Sequence, residues 1–378
     1  VAAQCFGSGD DDRLKLVVGN SIWLVLITGA VLGAVGFWGA RPIMQLIGTP
    51  DDIIDGAVLY LQITCGLVII QLLYNAVAAL LRAIGDSRTP LIFLIVCSLL
   101  NVALDLIFVI NFKMEIAGVA IATIISQAVS AVLAIAYMLK KYAVLRFTAK
   151  HMRIDRGILA SVMRIGAPMA AQTLLITVGM MVTTSVINSF GSGTVAAYTV
   201  GNKVEQLATV LFSQVAFSFS VFAGQNFGAR KYDRIKDGMR KMLLLVVGLS
   251  AISTVVMFMF GRQIAWFFVE ADTPASVIDS AYNMIRIEAA LYSALGGIWV
   301  YNSALRGIGD AQFTLLSATI ELVAKVVLSV VLSKLFGETG IWFASPLGWI
   351  PGMLPSAIRF HRGKWERRAR ASDAAAQT

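Results

Sequence analysis

The chain has 378 residues, 58% of them hydrophobic and only 14% charged, with a mean hydropathy of +0.78 and a formal net charge of +9. One soluble domain cannot hide that much apolar surface, so the lipid bilayer must be its solvent. The cations lie in short gaps between apolar runs rather than on one basic face, which argues against nucleic acid as a partner, and the three cysteines and two histidines have no disulfide or metal-ligand spacing.

Apolar runs long enough to cross about 30 Å of hydrocarbon predict ten spans, at 17–48, 56–82, 90–112, 117–139, 166–190, 194–224, 241–269, 277–305, 313–335 and 340–358. Loop chemistry marks their ends, as at Gly48-Thr49-Pro50-Asp51-Asp52, Gly85-Asp86-Ser87-Arg88-Thr89-Pro90 and Asp272-Thr273-Pro274. Taking alternate loops as one side places 24 Lys and Arg residues there against four on the other. This excess puts the first set, which includes the C-terminal tail, in the cytoplasm of a multi-pass cell-membrane protein.

The segment Leu80-Leu81-Arg82-Ala83-Ile84-Gly85-Asp86 returns as Ala304-Leu305-Arg306-Gly307-Ile308-Gly309-Asp310, 224 positions later. Gln4, Phe6, Gly7, Arg13 and Lys15 return as Gln225, Phe227, Gly228, Arg234 and Lys236, offset by 221, and Arg41 returns as Arg262. Landmarks recurring in one order indicate an internal duplication. Two spans of the second half precede Gln225 and none precedes Gln4, so the expected whole is six plus six spans, with the present chain lacking the first one to two. An even number of spans per repeat gives a parallel repeat about an axis along the membrane normal. The expected parts are an incomplete four-helix N-terminal lobe (1–142), a cytoplasmic linker (143–164), a six-helix C-terminal lobe (165–360) and a basic tail (361–378). In each copy the Gly of Ile-Gly-Asp should close a helix with a left-handed turn, and the Asp is expected to hold the neighbouring Arg82 or Arg306.

Several stretches resemble the multidrug and toxic compound extrusion (MATE) family: Ala3-Gln4-Cys5-Phe6-Gly7, LRAIGDSRTP at 81–90, NVALDLIF at 101–108, GVAIATIISQ at 118–127, SFGSGTVAAYTVGNKVEQ at 189–206, AGQNFGARKYDR at 223–234 and LRGIGD at 305–310. The resemblance implies an all-α integral membrane protein of two lobes with a central cavity open to one side at a time. It also implies export of amphipathic, often cationic, small molecules by antiport against Na⁺ or H⁺, without other cofactors and as a monomer. Two family positions depart: the first helix, which carries the proton-binding acid in one branch, lies before this chain, and no acid follows Gly166-Ala167-Pro168 where a sodium-coupled branch has a Glu. A flippase for lipid-linked sugars, an inactive fragment and a membrane enzyme are the alternatives. A nucleotide engine or a hydrolytic site finds no motif here, since GxxxxGK[ST], HExxH and GxSxG are all absent.

Ionisable side chains inside a span cost about 2.5–3.5 kcal/mol on insertion scales and need partners. Seven qualify as candidates for ion coupling: Glu205, Lys203, Glu288, Arg286, Glu321, Lys325 and Asp105. All but Asp105 lie near mid-span in the C-terminal lobe and are expected to form one balanced network. Glu321 and Lys325 are four apart on one helix face, equally suited to a packing ion pair. Lys203/Glu205 and Arg286/Glu288 are two apart, so each pair must point to different faces and find partners on other helices. Asp105 suits an interhelical hydrogen bond as well as a coupling role. Tyr198, Asn202, Gln172, Met180, Phe212 and Asn75 are candidates for the wall of a substrate cavity, where soft and aromatic side chains suit varied cargo.

Overall fold

The computed structural model describes residues 1–270 and 272–375, and among these it contains helices and no strand. It forms two compact units, Val1–Leu159 and Ala160–Thr378.

Unit 1 begins with α1 (Ala2–Ser8) and α2 (Asp11–Trp38), the latter started by the Asp10 carboxylate accepting from Arg13 N at 2.9 Å. A short α3 (Ala40–Ile47) follows. Next come α4 (Ile54–Gly66) and α5 (Val68–Ala83), which meet at Leu67 with a 44° bend. Glycines on α2 make the approach of this broken helix possible: a Cβ at Gly36 would lie 2.2 Å from Cys65 Cβ, and one at Gly29 would lie 2.9 Å from Ile69. Then come α6 (Arg88–Leu106), which runs into a π-turn at Ile107–Asn111, and α7 (Glu115–Lys141).

The chain after α7 does not leave the unit at once. Residues 149–155 lie against α2, where Asn20 Nδ2 donates to Arg153 O at 3.2 Å, Asn20 Oδ1 accepts from Asp155 N at 3.0 Å, and Trp23 Nε1 donates to Met152 O at 2.7 Å. Gly19 makes room, because a Cβ there would sit 2.1 Å from the His151 carbonyl oxygen. Asp155 then accepts from Ile158 N at 2.9 Å and starts α8 (Arg156–Asn188).

Unit 2 continues with α9 (Ser192–Gly228), α10 (Tyr232–Trp266), α11 (Ala275–Ala289), α12 (Tyr292–Ile308), α13 (Gln312–Phe336), α14 (Glu338–His361) and α15 (Lys364–Ala375). Its core is aromatic at depth: Phe212 and Tyr292 are fully buried, and Phe212 packs on Tyr292 and Trp299 with ring centroids 5.9 and 5.5 Å apart. On α14 the glycines face α13. A Cβ at Gly340 would meet Leu332 O at 2.0 Å, and one at Gly352 would meet Glu321 Cβ at 2.8 Å. Small residues at a helix interface allow this closeness.

Among the described residues seven helices are long and apolar enough to cross a membrane, namely α2, α6 with its π-turn, α7, α8, α9, α10 and α13, and the bent pair α4–α5 makes eight. The expected span 277–305 is instead two helices, α11 and α12, of 15 and 17 residues, each below membrane-spanning length. The expected span 340–358 lies within α14, whose length goes to Gly, Trp, Ser and three prolines rather than to Leu and Val.

The duplication is visible in backbone detail. Leu67 and Leu291, 224 apart, stand at the two helix breaks with φ, ψ of −113°, 15° and −118°, 15°. Gly85 and Gly309 have φ of 97° and 86°, the left-handed closure expected of them. Arg41–Asp55 and Arg262–Asp279 form matching ion pairs, the second at 2.7 Å. The expected partners of the two loop aspartates are not the ones found. Asp86 accepts from Thr89 N at 3.1 Å, Thr89 Oγ1 at 2.7 Å and the Tyr142 hydroxyl at 2.8 Å. Asp310 pairs with Arg359 Nε at 2.5 Å, while Arg306 lies over the Phe217 ring at 5.4 Å. An Asp just before a helix is drawn to the free N–H groups of its first turn, and in unit 2 a buried arginine outcompetes the local one.

Candidate functional site

The sequence candidates of unit 2 divide in two. Residues two apart on a helix are separated by about 200° around its axis, so one of each pair must turn outward. On α9, Glu205 is half-buried while Lys203 is exposed. On α11, Glu288 is only 3% exposed while Arg286 turns out, its guanidinium stacked over Phe258 and Tyr282 at 5.4 and 5.5 Å. Lys203 and Arg286 therefore lie outside the expected six-charge network.

The remaining four converge. Glu205 interacts electrostatically with Lys325, Glu288 with both Glu205 and Lys325, and Glu321 with Lys325 and Glu205. Electrostatic interaction thus links three acids, from α9, α11 and α13, to one ammonium group. Among the described residues Lys325 closes no direct ion pair with any of them, and Glu288 Oε2 is buried without a hydrogen-bond partner. With every acid ionised, one lysine leaves two negative charges uncompensated. Like charges held near one another in a medium of low dielectric repel, and a bound cation relieves that repulsion. Among the described residues no three His, Cys, Asp or Glu side chains converge closely enough to form a metal centre.

Two structural features shape this cluster. Gly348 and Gly352 on α14 lie directly on the Glu321–Lys325 turn of α13, and Gly179 on α8 admits Leu322 from its other side. Glu288 lies in the last turn of α11, three residues before the break at Leu291, and Tyr292 begins α12 just after it. The Tyr292 hydroxyl is buried without a partner and interacts with Glu288 and Glu205. Sequence reasoning passed over Tyr292, although its spacing of four from Glu288 was a usable signal. It also passed over Glu338, the first residue of α14, which accepts from Thr194 Oγ1 at 2.8 Å and from Ser280 Oγ, so that one carboxylate ties α9, α11 and α14.

The other candidates lie elsewhere. Asp105, on α6 of unit 1, has a buried Oδ1 with no partner. Tyr198 is buried and stacked on Trp342 at 6.2 Å. Phe212 is enclosed in the core, with no surface left to line a cavity. Asn202 and Gln172 are half-buried on α9 and α8, Met180 is 45% exposed on α8, and Asn75 is exposed on α5.

Comparison with known proteins agrees with this architecture. The chain is 27% identical over 361 residues to the probable multidrug resistance protein YoeA of Bacillus subtilis, covering 93% of this chain and 77% of that protein. It is 22% identical to the multidrug export protein MepA of Staphylococcus saprophyticus, with coverage of 90% and 74%, and 23% identical to the FAD transporter of Shewanella oneidensis, with coverage of 91% and 76%. A crystal structure of MATE in the bent conformation superposes with a TM-score of 0.89 at 21% identity, covering all of this chain and 83% of that one. The straight conformation gives 0.87 at 20% identity, with coverage of 98% and 82%. The MatE family model matches residues 1–107 and 168–331, and on that match the chain belongs to the MATE family of efflux transporters, which are not enzymes.

Proposed function

We propose that the chain is a secondary active antiporter that exports amphipathic, cationic drugs or toxic metabolites in exchange for H⁺ or Na⁺ by alternating access. The observation carrying this reading is the group of three acids and one lysine on α9, α11 and α13, next to the α11–α12 break. Arrival of a cation changes which carboxylate Lys325 answers to, and therefore which packing of these helices is preferred; a ligand shifts an equilibrium by its difference in affinity for the two states. Glu205 and Glu288 are the leading ion carriers, Glu321 and Lys325 the groups that set their charge balance. Names such as multidrug export and FAD transport among the relatives support a small-molecule cargo. In this reading α11–α12 and α14 also cross the bilayer, giving ten spans of a six-plus-six parallel repeat with a cytoplasmic C-terminus, acting as a monomer.

Efflux of a fluorescent organic cation from proteoliposomes under an imposed H⁺ or Na⁺ gradient tests it. Glu205→Gln should abolish gradient-driven efflux while the protein still inserts and binds cargo, and the gradient that drives the unsubstituted chain identifies the ion. Efflux by Glu205→Gln at the unsubstituted rate would remove Glu205 from the coupling step.

A further inference from the structure

The duplicated fold lets one groove be compared in its two copies. In unit 1 the face of α2 that carries Gly19, Asn20 and Trp23 is covered by the chain's own residues 149–155, held by the three hydrogen bonds described above. At the offset of 221 these positions become Arg240, Lys241 and Leu244 on α10. Among the described residues no hydrogen bond from another segment reaches these three. Instead α10, α12, α14 and the start of α15 leave a cavity of about 480 Å³, within the range of about 300–1,000 Å³ typical of small-ligand sites.

The lining is divided between two chemistries. At one end stand Lys236, Arg240 and the Tyr301–His361 pair, whose hydroxyl and Nε2 are 2.9 Å apart. The Phe360 ring lies beside them, 6.3 Å from Tyr301, and farther along α10 the lining is apolar, with Leu243 and Leu244. This order follows α10 itself, which passes from its charged first turns, ending at Arg240-Lys241, into the unbroken apolar run Met242-Leu243-Leu244-Leu245-Val246-Val247. The cavity therefore spans the passage from the charged to the apolar part of α10. The one carboxylate in its lining, Glu366, is answered by Lys236 at 2.6 Å and by Arg370 at 2.9 Å. Arg240, exposed at the cavity, makes no ion pair among the described residues.

We infer that this cavity is a binding site for an anionic phospholipid, its phosphate on Arg240, Lys236 and His361 and its first methylenes on Leu243 and Leu244, filling in unit 2 the groove that unit 1 fills with its own backbone. A free phosphate would satisfy the cations and leave the apolar part of the lining empty, while a zwitterionic lipid would bring a choline cation against the basic residues. Basic pockets between helices at a membrane surface take lipid headgroups by this combination.

Native mass spectrometry of the full chain in detergent, titrated with phosphatidylglycerol, phosphatidylcholine or inorganic phosphate, separates these sources. Phosphatidylglycerol should bind in preference to phosphatidylcholine and should not be displaced by inorganic phosphate. Arg240→Gln should weaken its binding about fivefold, the factor expected for one cation at a lipid surface. Leu244→Trp, which keeps every charge but fills the cavity, should weaken it as well, and Arg234→Gln, on the same helix but outside the lining, should leave it unchanged. Equal affinity for the two lipids, competition by free phosphate, unaltered binding by Arg240→Gln and Leu244→Trp, or an equal loss in Arg234→Gln would each overturn the assignment.

Discussion

The two broken helices carry one backbone and two chemistries. Leu67 and Leu291 share nearly the same dihedral angles, yet the residue three positions earlier is Thr64 in unit 1 and Glu288 in unit 2, and the residue just after is Val68 against Tyr292. The same holds on the following helix, where Cys97 and Asn101 of α6 stand at the positions of Glu321 and Lys325 of α13. The helix break thus recurs in both units, while among the described residues the linked acids and lysine stand beside it only in unit 2. The exception is Asp105, which matches Ser329; both present a buried polar atom without a partner, and here the charge belongs to unit 1.

Removing the single base should expose this difference most sharply. Lys325→Gln leaves three acids without a counter-charge and should abolish transport. It should also destabilise the protein, because the charge that balances the acids is lost from a half-buried site. Asn101→Ala at the matching position of unit 1 should cost less than about 1 kcal/mol. Thermal unfolding in detergent measures both, and equal losses would dissolve the distinction between the units.

The loop aspartates give a smaller contrast. Asp310→Asn strands Arg359, which is 92% buried by its 8% exposure, and should cost about 3 kcal/mol. Asp86→Asn loses hydrogen bonds from Thr89 and Tyr142 and should cost about 1 kcal/mol. Burial pushes the Asp86 carboxyl up, but the bonds from Thr89 and Tyr142 and the nearby Lys141 charge outweigh it and hold the group below its ordinary value of 3.8. Its contribution to stability is therefore present above pH 4 and lost as pH falls through the lowered value, and Asp86→Asn should flatten that acid limb. A steeper acid limb in the variant would contradict this.

Much of this was legible in the residues. The repeated landmarks located equivalent turns to the residue, because a left-handed closure needs glycine and glycine is easily seen. The spacing of two in Lys203/Glu205 and Arg286/Glu288 correctly required opposite faces. Other features left no local sign. The break at Ala290–Leu291 falls in an apolar run without proline, so 277–305 reads as one span. The partners of Asp86 and Asp310 include Tyr142 and Arg359, 56 and 49 residues away, and no spacing rule reaches that far. The contact of residues 149–155 with α2 uses backbone carbonyls, which every sequence has, and only the small size of Gly19 hinted at it.

Cargo-driven uptake of H⁺ or Na⁺ into proteoliposomes, compared between Glu288→Gln and Asp105→Asn, tests most directly whether the coupling ion is carried by unit 2. If it is, Glu288→Gln moves no ion in response to a cargo gradient and Asp105→Asn moves it at nearly the unsubstituted stoichiometry. The opposite result, with uptake intact in Glu288→Gln and lost in Asp105→Asn, would place the ion in unit 1 and leave the acid cluster of unit 2 a matter of packing alone.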